Sequence, residues 1–252
     1  MGTVSKALLL IDILSGPEAR LGLTEIARAS GFDKATTRRL LVELKANGFV
    51  EQDETRRDYM LGPALLRFGR LREARFPYAR IADPVVRALA EATGETAHAS
   101  EYGGGVLASI AVQASDKSNR VIVELGEHFP LHATASGLAV LSASPAAVVD
   151  AVLAKALARF SDQTQTDPAR IAALVEQARA RGYALSDQLK ERGVHSVAAA
   201  IRSPTGLPVG AVAVAMPSVR ATPDAVAKAG ALVRDAAADI AAQLFGGRKG
   251  QA

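Results

Sequence analysis

The chain has 252 residues, of which 49% are hydrophobic and 22% are charged, and it contains no cysteine. This length predicts about two domains, and the apolar content suffices for a buried core, which excludes disorder as the dominant state. The lack of cysteine excludes disulfide bonds, cysteine-based zinc sites and thiol catalysis. The formal net charge is +4, with 13 basic and 10 acidic residues up to Arg75. Most of the excess therefore lies in the first third, which predicts a polyanion as the partner of that part.

The sequence predicts a cytoplasmic protein without a membrane partner. No apolar run reaches the roughly 18 residues of a membrane helix. The amino terminus leads into an amphipathic segment rather than into the apolar core of a signal peptide. A composition without cysteine also fits a reducing compartment.

The first part of the chain predicts three helices in the order of a helix-turn-helix domain. Apolar residues recur at spacings of three and four over 5–14, and Gly16 and Pro17 end that run. A short second helix is predicted over 25–30. Asp33 is positioned to cap a third helix that runs to about residue 47.

The third helix is predicted to present a face that reads DNA. Its apolar stripe packs on the first two helices and comprises Thr37, Leu40, Leu41 and Leu44. The opposite face combines short side chains, which allow close approach, with cations that suit guanine edges and phosphates. The predicted contacts on this face are Lys34, Ala35, Thr36, Arg38 and Arg39.

Two strand-like runs around a polar turn over 49–61 predict a wing. Arg56 and Arg57 near its tip are predicted to contact the DNA backbone. A basic, helix-prone segment bounded by prolines predicts a linker helix. The predicted domains are a winged helix-turn-helix over 1–62, a linker helix over 63–80 and a second domain over 81–252.

The second domain mixes both periodicities and is predicted to be α+β, with an antiparallel sheet flanked by helices. Gly103, Gly104 and Gly105 predict a hairpin between strands over 96–102 and 106–113. Further strands are predicted at 121–125, 183–186, 195–202 and 209–215. Helices are predicted at 81–91, 133–142, 146–158, 168–181 and 223–244. The tail over 246–252 is predicted to be frayed.

Taken in order, these segments resemble the IclR (isocitrate lyase regulator) family of bacterial transcription factors. The resemblance rests on seven stretches: 23–41, 48–51, 59–63, 91–98, 130–137, 181–187 and 193–199. It implies a winged helix-turn-helix, a linker helix and a GAF-like effector-binding domain, assembled as homodimers or homotetramers on operator DNA. The chain departs from the family pattern at Thr37, where an apolar residue is usual.

The resemblance also implies a pocket for a small organic acid. Carried over to this chain, its residues are Thr134, Ala135, Ser136, Asp187, Ser196, Ala213 and Ala215. Free amides at a helix start suit a carboxylate. Ala213 and Ala215 have small apolar side chains, which predict a roomy and apolar site and favour an aromatic or otherwise bulky acid. The two alanines are equally well explained as small residues of the core.

Two other functions stay open at this point. The second domain could be an enzyme or a metabolite-binding module, with the first domain serving only for interactions. Alternatively, the protein could coat DNA without regard to sequence. No catalytic residues are predicted, because His195 and Ser196 are neighbours on a strand and point to opposite faces. His128 and His132 are four residues apart, but Pro130 between them breaks a helical metal site. Neither a metal nor a cofactor is predicted.

Overall fold

A computed structural model of the protein describes residues 1–16 and 20–246. The chain forms two compact units, unit 1 (Met1–Phe76) and unit 2 (Pro77–Ala252). The predicted helix stop at Pro17 and the predicted frayed tail beyond residue 246 lie outside the described residues. None of the described helices combines the length and the apolar character needed to span a membrane.

Unit 1 contains the predicted helix-turn-helix and its two-stranded wing. Its first elements are α1 (Thr3–Leu14), α2 (Leu23–Ser30), α3 (Lys34–Ala46), β1 (Val50–Gln52) and β2 (Tyr59–Leu61). The apolar faces of the helices meet in one core with the first wing strand, and this core includes Leu10, Leu14, Ile26, Leu40, Leu41 and Val50. β1 and β2 are antiparallel. The order of elements confirms the predicted class of fold.

The segment predicted as one linker helix over 63–80 contains one complete helix and the start of a second. α4 covers Pro63–Arg75 in unit 1, and α5 covers Tyr78–Thr93 in unit 2. Pro77 separates them, because a proline disfavours helical backbone at the residue before it. Phe76 accordingly has φ −142° and ψ 84°.

Unit 2 contains a five-stranded antiparallel sheet in the order β4-β3-β7-β6-β5. The strands are β3 (Thr96–Gly103), β4 (Val106–Gln113), β5 (Ala184–Asp187), β6 (Val194–Arg202) and β7 (Pro208–Pro217). The predicted hairpin forms, and its turn is made by the two residues Gly104 and Gly105, with φ of 61° and 83°, as a two-residue turn with positive φ at both positions requires.

Helices flank this sheet, as predicted, and they pack on both of its faces. They are α5, α6 (Ala135–Ala143), α7 (Ala146–Leu153), α8 (Pro168–Arg181) and α9 (Pro223–Phe245). α5 and α9 contact each other and one face of the sheet, whereas α6 contacts the strands and α8. Every residue of α6 is buried, so the side chains at its amino terminus are fixed by close packing.

The strand predicted at 121–125 does not form. This stretch belongs to an irregular segment, residues 114–129, which we call the covering segment. The Thr96 hydroxyl donates a hydrogen bond of 2.7 Å to the Val121 carbonyl. Backbone pairing with the edge strand β4 is made instead near the end of this segment, where the Phe129 amide donates a hydrogen bond of 2.8 Å to the Leu107 carbonyl. The helix predicted at 146–158 also ends early, at Leu153.

Candidate functional site

Asp33 caps α3 and fixes where its outer face begins. Asp33 Oδ1 accepts a hydrogen bond of 2.7 Å from the Thr36 amide, and Oδ2 accepts one of 2.8 Å from the Thr36 hydroxyl. These bonds hold the pKa of Asp33 below its ordinary value. The capping group is therefore a carboxylate, which the positive end of the helix favours.

The inner face of α3 is the predicted stripe, in which Thr37, Leu40 and Leu41 are buried and Leu44 is half-buried. The Thr37 hydroxyl donates a hydrogen bond of 2.9 Å to the Asp33 carbonyl. A hydroxyl that is satisfied within its own helix can be buried at little cost. The departure from the family pattern at Thr37 therefore leaves the packing of α3 intact.

The outer face of α3 carries the predicted DNA contacts. Lys34, Ala35, Arg38 and Arg39 are exposed, and Thr36 is half-buried with its hydroxyl bound to Asp33. Within residues 1–16 and 20–246, no acidic group forms an ion pair with the side chains of Lys34, Arg38 or Arg39. Three cations thus face solvent without a counter-ion from the described residues.

The wing turn holds two further arginines in solvent. Asp53 Oδ1 accepts hydrogen bonds from the amides of Arg56 at 2.8 Å and Thr55 at 2.9 Å, and Arg20 pairs with Oδ2 at 3.2 Å. These contacts lower the pKa of Asp53. The Arg56 and Arg57 side chains are both exposed. Arg57 adopts φ +64°, a conformation that favours glycine over arginine.

A cavity of about 50 Å³ lies in unit 2 between the sheet, the start of α6 and the covering segment. Five of the predicted pocket residues line it: Thr134, Ala135, Ser136, Ser196 and Ala215. The space is smaller than the roomy pocket predicted from the two alanines. Val121, Ile122, Val123 and Phe129 border the cavity beside Ala215, so the covering segment occupies room that the strand residues alone would leave.

Asp187 and Ala213 do not line the cavity. Asp187 is paired with His195 across the strands and its side chain is 66% exposed. Because successive strand residues alternate in direction, its neighbour Ser186 faces the cavity instead. Ala213 is fully buried in the core cluster that includes α6.

Sequence reasoning missed several lining residues, among them His98, Glu127, Ser186 and Lys190. His98 pairs with Ala213 in the sheet, and Ser186 pairs with Ser196. Cross-strand partners share a face, so a correct strand register would have found both. Glu127 and Lys190 come from irregular segments, in which no periodic pattern marks a direction.

His98 is buried, with 4% of its surface exposed. Its Nε2 lies 3.3 Å from the Ser136 hydroxyl, and its ring centroid lies 4.8 Å from that of Phe129. Its Nδ1 has no hydrogen-bond partner among the described residues. Burial lowers the pKa of His98 to about 4. The ring is therefore neutral near pH 7 and presents an unsatisfied nitrogen in a residue that lines the cavity.

The amino terminus of α6 offers two amides to the cavity. The Thr134 hydroxyl accepts a hydrogen bond of 3.0 Å from the Gly137 amide. The amides of Ala135 and Ser136 make no hydrogen bond within the described part of the chain. Gly137 lets the preceding loop approach closely, since a Cβ there would lie 2.4 Å from Leu131 Cα. Amides without a hydrogen-bond partner at a positive helix end suit a carboxylate.

His132 and His195 make contacts elsewhere in the structure. His132 Nε2 lies 2.9 Å from the Ala158 carbonyl. His195 Nδ1 lies 3.5 Å from Asp187 Oδ1, on the face of the sheet opposite Ser196, which lines the cavity. In the described ranges, no three His, Asp or Glu side chains are grouped to hold a metal ion.

A helix-turn-helix whose third helix exposes a basic face defines the class of DNA-binding transcription regulators. Comparison with known families agrees: the IclR helix-turn-helix domain matches residues 3–54. The C-terminal domain of the bacterial transcriptional regulator IclR matches residues 74–242. The chain belongs to the IclR family of bacterial transcriptional regulators, and it is a regulator rather than an enzyme.

Individual relatives support the same assignment. The glycerol operon regulatory protein of Streptomyces coelicolor is 35% identical over 219 residues, which cover 84% of this chain and 83% of the relative. An IclR transcriptional regulator from Silicibacter sp. TM1040 is 43% identical, with a TM-score of 0.88 and 96% of each chain covered. An IclR homolog from Microbacterium hydrocarbonoxydans, complexed with 4-hydroxybenzoate, shares the fold at 20% identity and a TM-score of 0.76, with 96% of this chain and 99% of that chain covered.

Proposed function

We propose that this regulator binds operator DNA in the cytoplasm through α3 and the wing, and that a small organic acid in the unit 2 cavity changes that binding. The observation that carries the DNA part is the exposed face of α3, where Arg38 and Arg39 have no internal counter-ion in the described chain. Unpaired cations beside a small side chain match the needs of a helix in the major groove.

The proposed contacts divide into two groups. Lys34, Ala35, Thr36, Arg38 and Arg39 enter the major groove, while Arg56 and Arg57 hold the backbone. Arg38 and Arg39 are consecutive and point to different sides of the helix, so one is suited to a base edge and the other to a flanking phosphate. Asp33 positions this face, because its bonds to Thr36 set the first turn of α3.

We further propose that the protein acts as a homodimer, with a dimer of dimers as the larger assembly. A single winged helix contacts too few phosphates for tight specific binding, so two half-sites are needed. Val4 and Leu8 on α1 are 74% and 54% exposed. They border a groove of about 320 Å³ between α1 and α3, with Phe49 at one side. An exposed apolar surface of this kind favours a second copy of the chain as its partner.

The proposed ligand is a short acid of about two to four carbons. Its carboxylate would accept hydrogen bonds from the amides of Ala135 and Ser136, and the hydroxyl of Ser196 would lie close by. A cavity of about 50 Å³ has room only for a ligand about the size of a few water molecules. An aromatic acid, which the two alanines favoured, fits only when the covering segment moves outward.

A ligand changes DNA binding only if it binds one arrangement of the protein better than another. Coupling energies of about 1 to 3 kcal/mol are typical. The covering segment is the element that such a ligand would reach first, since Val121, Ile122, Val123, Glu127 and Phe129 all line the cavity.

A gel-shift titration tests the DNA part. The probe is the DNA upstream of the neighbouring operon, with unrelated DNA as competitor. We expect retardation by the wild type and its loss in the double variant Arg38→Ala, Arg39→Ala. The matched control, Arg170→Ala with Arg192→Ala, removes the same charge from exposed sites in unit 2 and should bind normally. Equal loss in both double variants, or binding that ignores sequence, would contradict the proposal.

A thermal-shift panel tests the ligand part. Acetate, lactate, pyruvate and benzoate are added to the full-length protein, because a ligand that binds only the folded state raises the melting temperature. We expect the short acids to raise it more than benzoate does. A larger shift with benzoate would favour an aromatic ligand and an outward movement of the covering segment.

A further inference from the structure

Lys190 and Glu127 form an ion pair beside the cavity, and both side chains line it. Glu127 belongs to the covering segment, whereas Lys190 lies in the connection between β5 and β6. The Lys190 side chain is 31% exposed and the Glu127 side chain is 26% exposed, so the pair is largely removed from water. Lys190 Nζ also lies 5.4 Å from the centroid of the Phe129 ring. The pair therefore joins two separate segments at the edge of the proposed ligand site.

Glu127 is the more firmly held partner. Its Oε2 accepts a hydrogen bond of 3.2 Å from the Glu124 amide. Its own amide donates to the Ser109 hydroxyl at 3.1 Å, and its carbonyl accepts from the Ser109 amide at 3.0 Å. The lysine ammonium sits on a flexible four-carbon stem. It can turn to another acceptor while the glutamate stays in place.

The charges around the cavity depend on this lysine. Lys190 is the single cation among the described residues that line it, because burial keeps the pKa of His98 low. Glu127 neutralises that cation, and Glu191 at the rim is exposed to solvent, which screens its charge. An acid at the amides of Ala135 and Ser136 would meet repulsion from Glu127 unless Lys190 compensated it.

We infer that Lys190 selects an acidic ligand and that Glu127 is an internal competitor for this lysine. The inference rests on the proposed binding of a small acid in this cavity. The ligand carboxylate takes over Lys190 as a hydrogen-bond donor, and the contact between the covering segment and the β5–β6 connection is released. The acid thereby gains a contact in one arrangement that it lacks in the other, which a population shift requires.

The test compares an acid with its neutral amide in the full-length protein. Lactate and lactamide have nearly the same shape, and pyruvate with pyruvamide is the second pair. We expect Lys190→Gln to weaken lactate binding by about tenfold, as loss of a charge-assisted contact does, and Glu127→Gln to strengthen it several-fold. Lactamide binding should change by less than about twofold in either variant. Lys190→Arg keeps the charge and should retain most of the affinity for lactate.

The matched controls are Lys155→Gln and Glu176→Gln, two exposed residues of unit 2 that do not line the cavity. Operator binding by each variant reports that the chain is folded. If lactate binding is unchanged in Lys190→Gln and Glu127→Gln, or falls equally for lactamide, the inference is overturned while the proposed ligand site stands. If the wild type binds none of acetate, lactate, pyruvate and benzoate, the proposed ligand class is overturned, and the inference with it.

Discussion

Arg220 donates two hydrogen bonds to Glu95, at 2.6 and 2.7 Å, and so joins the turn after β7 to the residue that precedes β3. Lys117 adds a third bond to Glu95 at 2.9 Å, and Arg220 also donates to the Asn119 carbonyl at 2.8 Å. Burial alone would raise the pKa of Glu95, but the bonds from Arg220 and Lys117 outweigh it and lower the pKa. The cluster anchors the start of the covering segment to the sheet.

Arg220→Gln should therefore destabilise the protein. Breaking a buried pair costs about 3 to 5 kcal/mol, but Lys117 remains beside Glu95 and Arg220 is partly exposed, so we expect about 1 to 3 kcal/mol. Urea unfolding followed by circular dichroism measures it. Arg192→Gln removes an exposed pair with Asp162 and should change stability by less than about 0.5 kcal/mol. Equal effects of the two substitutions would show that the Glu95 cluster does not anchor this region.

Gly137→Ala should be destabilising and should also disturb the cavity. The added Cβ would lie 2.4 Å from Leu131 Cα and 2.6 Å from the carbonyl oxygens of Leu131 and Pro130. Overpacking of this kind costs about 1 to 3 kcal/mol. Thermal unfolding measures the loss, and lactate titration measures the damage to the α6 amides.

The same substitution at Gly69 is the control with the opposite sign. Gly69 lies inside α4, and a Cβ there meets nothing within 4 Å. Alanine in place of glycine inside a helix is worth about 1 kcal/mol, so Gly69→Ala should raise stability. A destabilised Gly69→Ala variant would mean that this face of α4 is covered.

Arg57→Gly should separate stability from DNA binding. Arginine at φ +64° is strained relative to glycine, so the substitution should raise the free energy of unfolding by up to about 1 kcal/mol. It also removes a proposed phosphate contact, which should weaken operator binding and flatten its salt dependence. Unchanged DNA affinity would remove Arg57 from the proposed interface.

His98 should make stability depend on pH between about 4 and 6.5. Its pKa is about 4 in the folded protein and 6.5 when solvated, so the unfolded chain binds more protons between these values. Stability then falls as the pH is lowered from 6.5 towards 4.

The substitution His98→Gln removes the imidazole that takes up this proton and therefore tests the prediction. We expect the wild type to lose about 2 kcal/mol more unfolding free energy than the variant between pH 7 and 4.5. Urea titrations at three pH values measure the difference. Parallel pH profiles for the two proteins would show that the ring is solvated in the folded state.

Local patterns predicted most of unit 1. Asp33 indicates the start of α3 as its N-cap, and the positions of Leu40 and Leu41 indicate which face of the helix is buried. The position of Arg38 and Arg39 follows from the same 3.6-residue period. Residues three and four positions apart lie on the same face of a helix, so its exposed and buried faces can be predicted from one short stretch of sequence.

The cavity could be predicted only in part. Ala135 and Ser136 were found because a helix start has free amides wherever it lies. Asp187 was carried over from the family resemblance, but its neighbour Ser186 lines the cavity, because successive strand residues point to opposite faces. His98 required the pairing of β3 with β7, between residues more than a hundred positions apart.

The sequence by itself determined the two-part organisation, the basic helix and the family of regulators, because these depend on contacts within short stretches and on the order of motifs. Only the tertiary structure decided which side chains share the cavity, how small that cavity is, and that Lys190 meets Glu127. These contacts join segments that are far apart in the sequence. Irregular segments have no periodic pattern from which the directions of their side chains could be predicted.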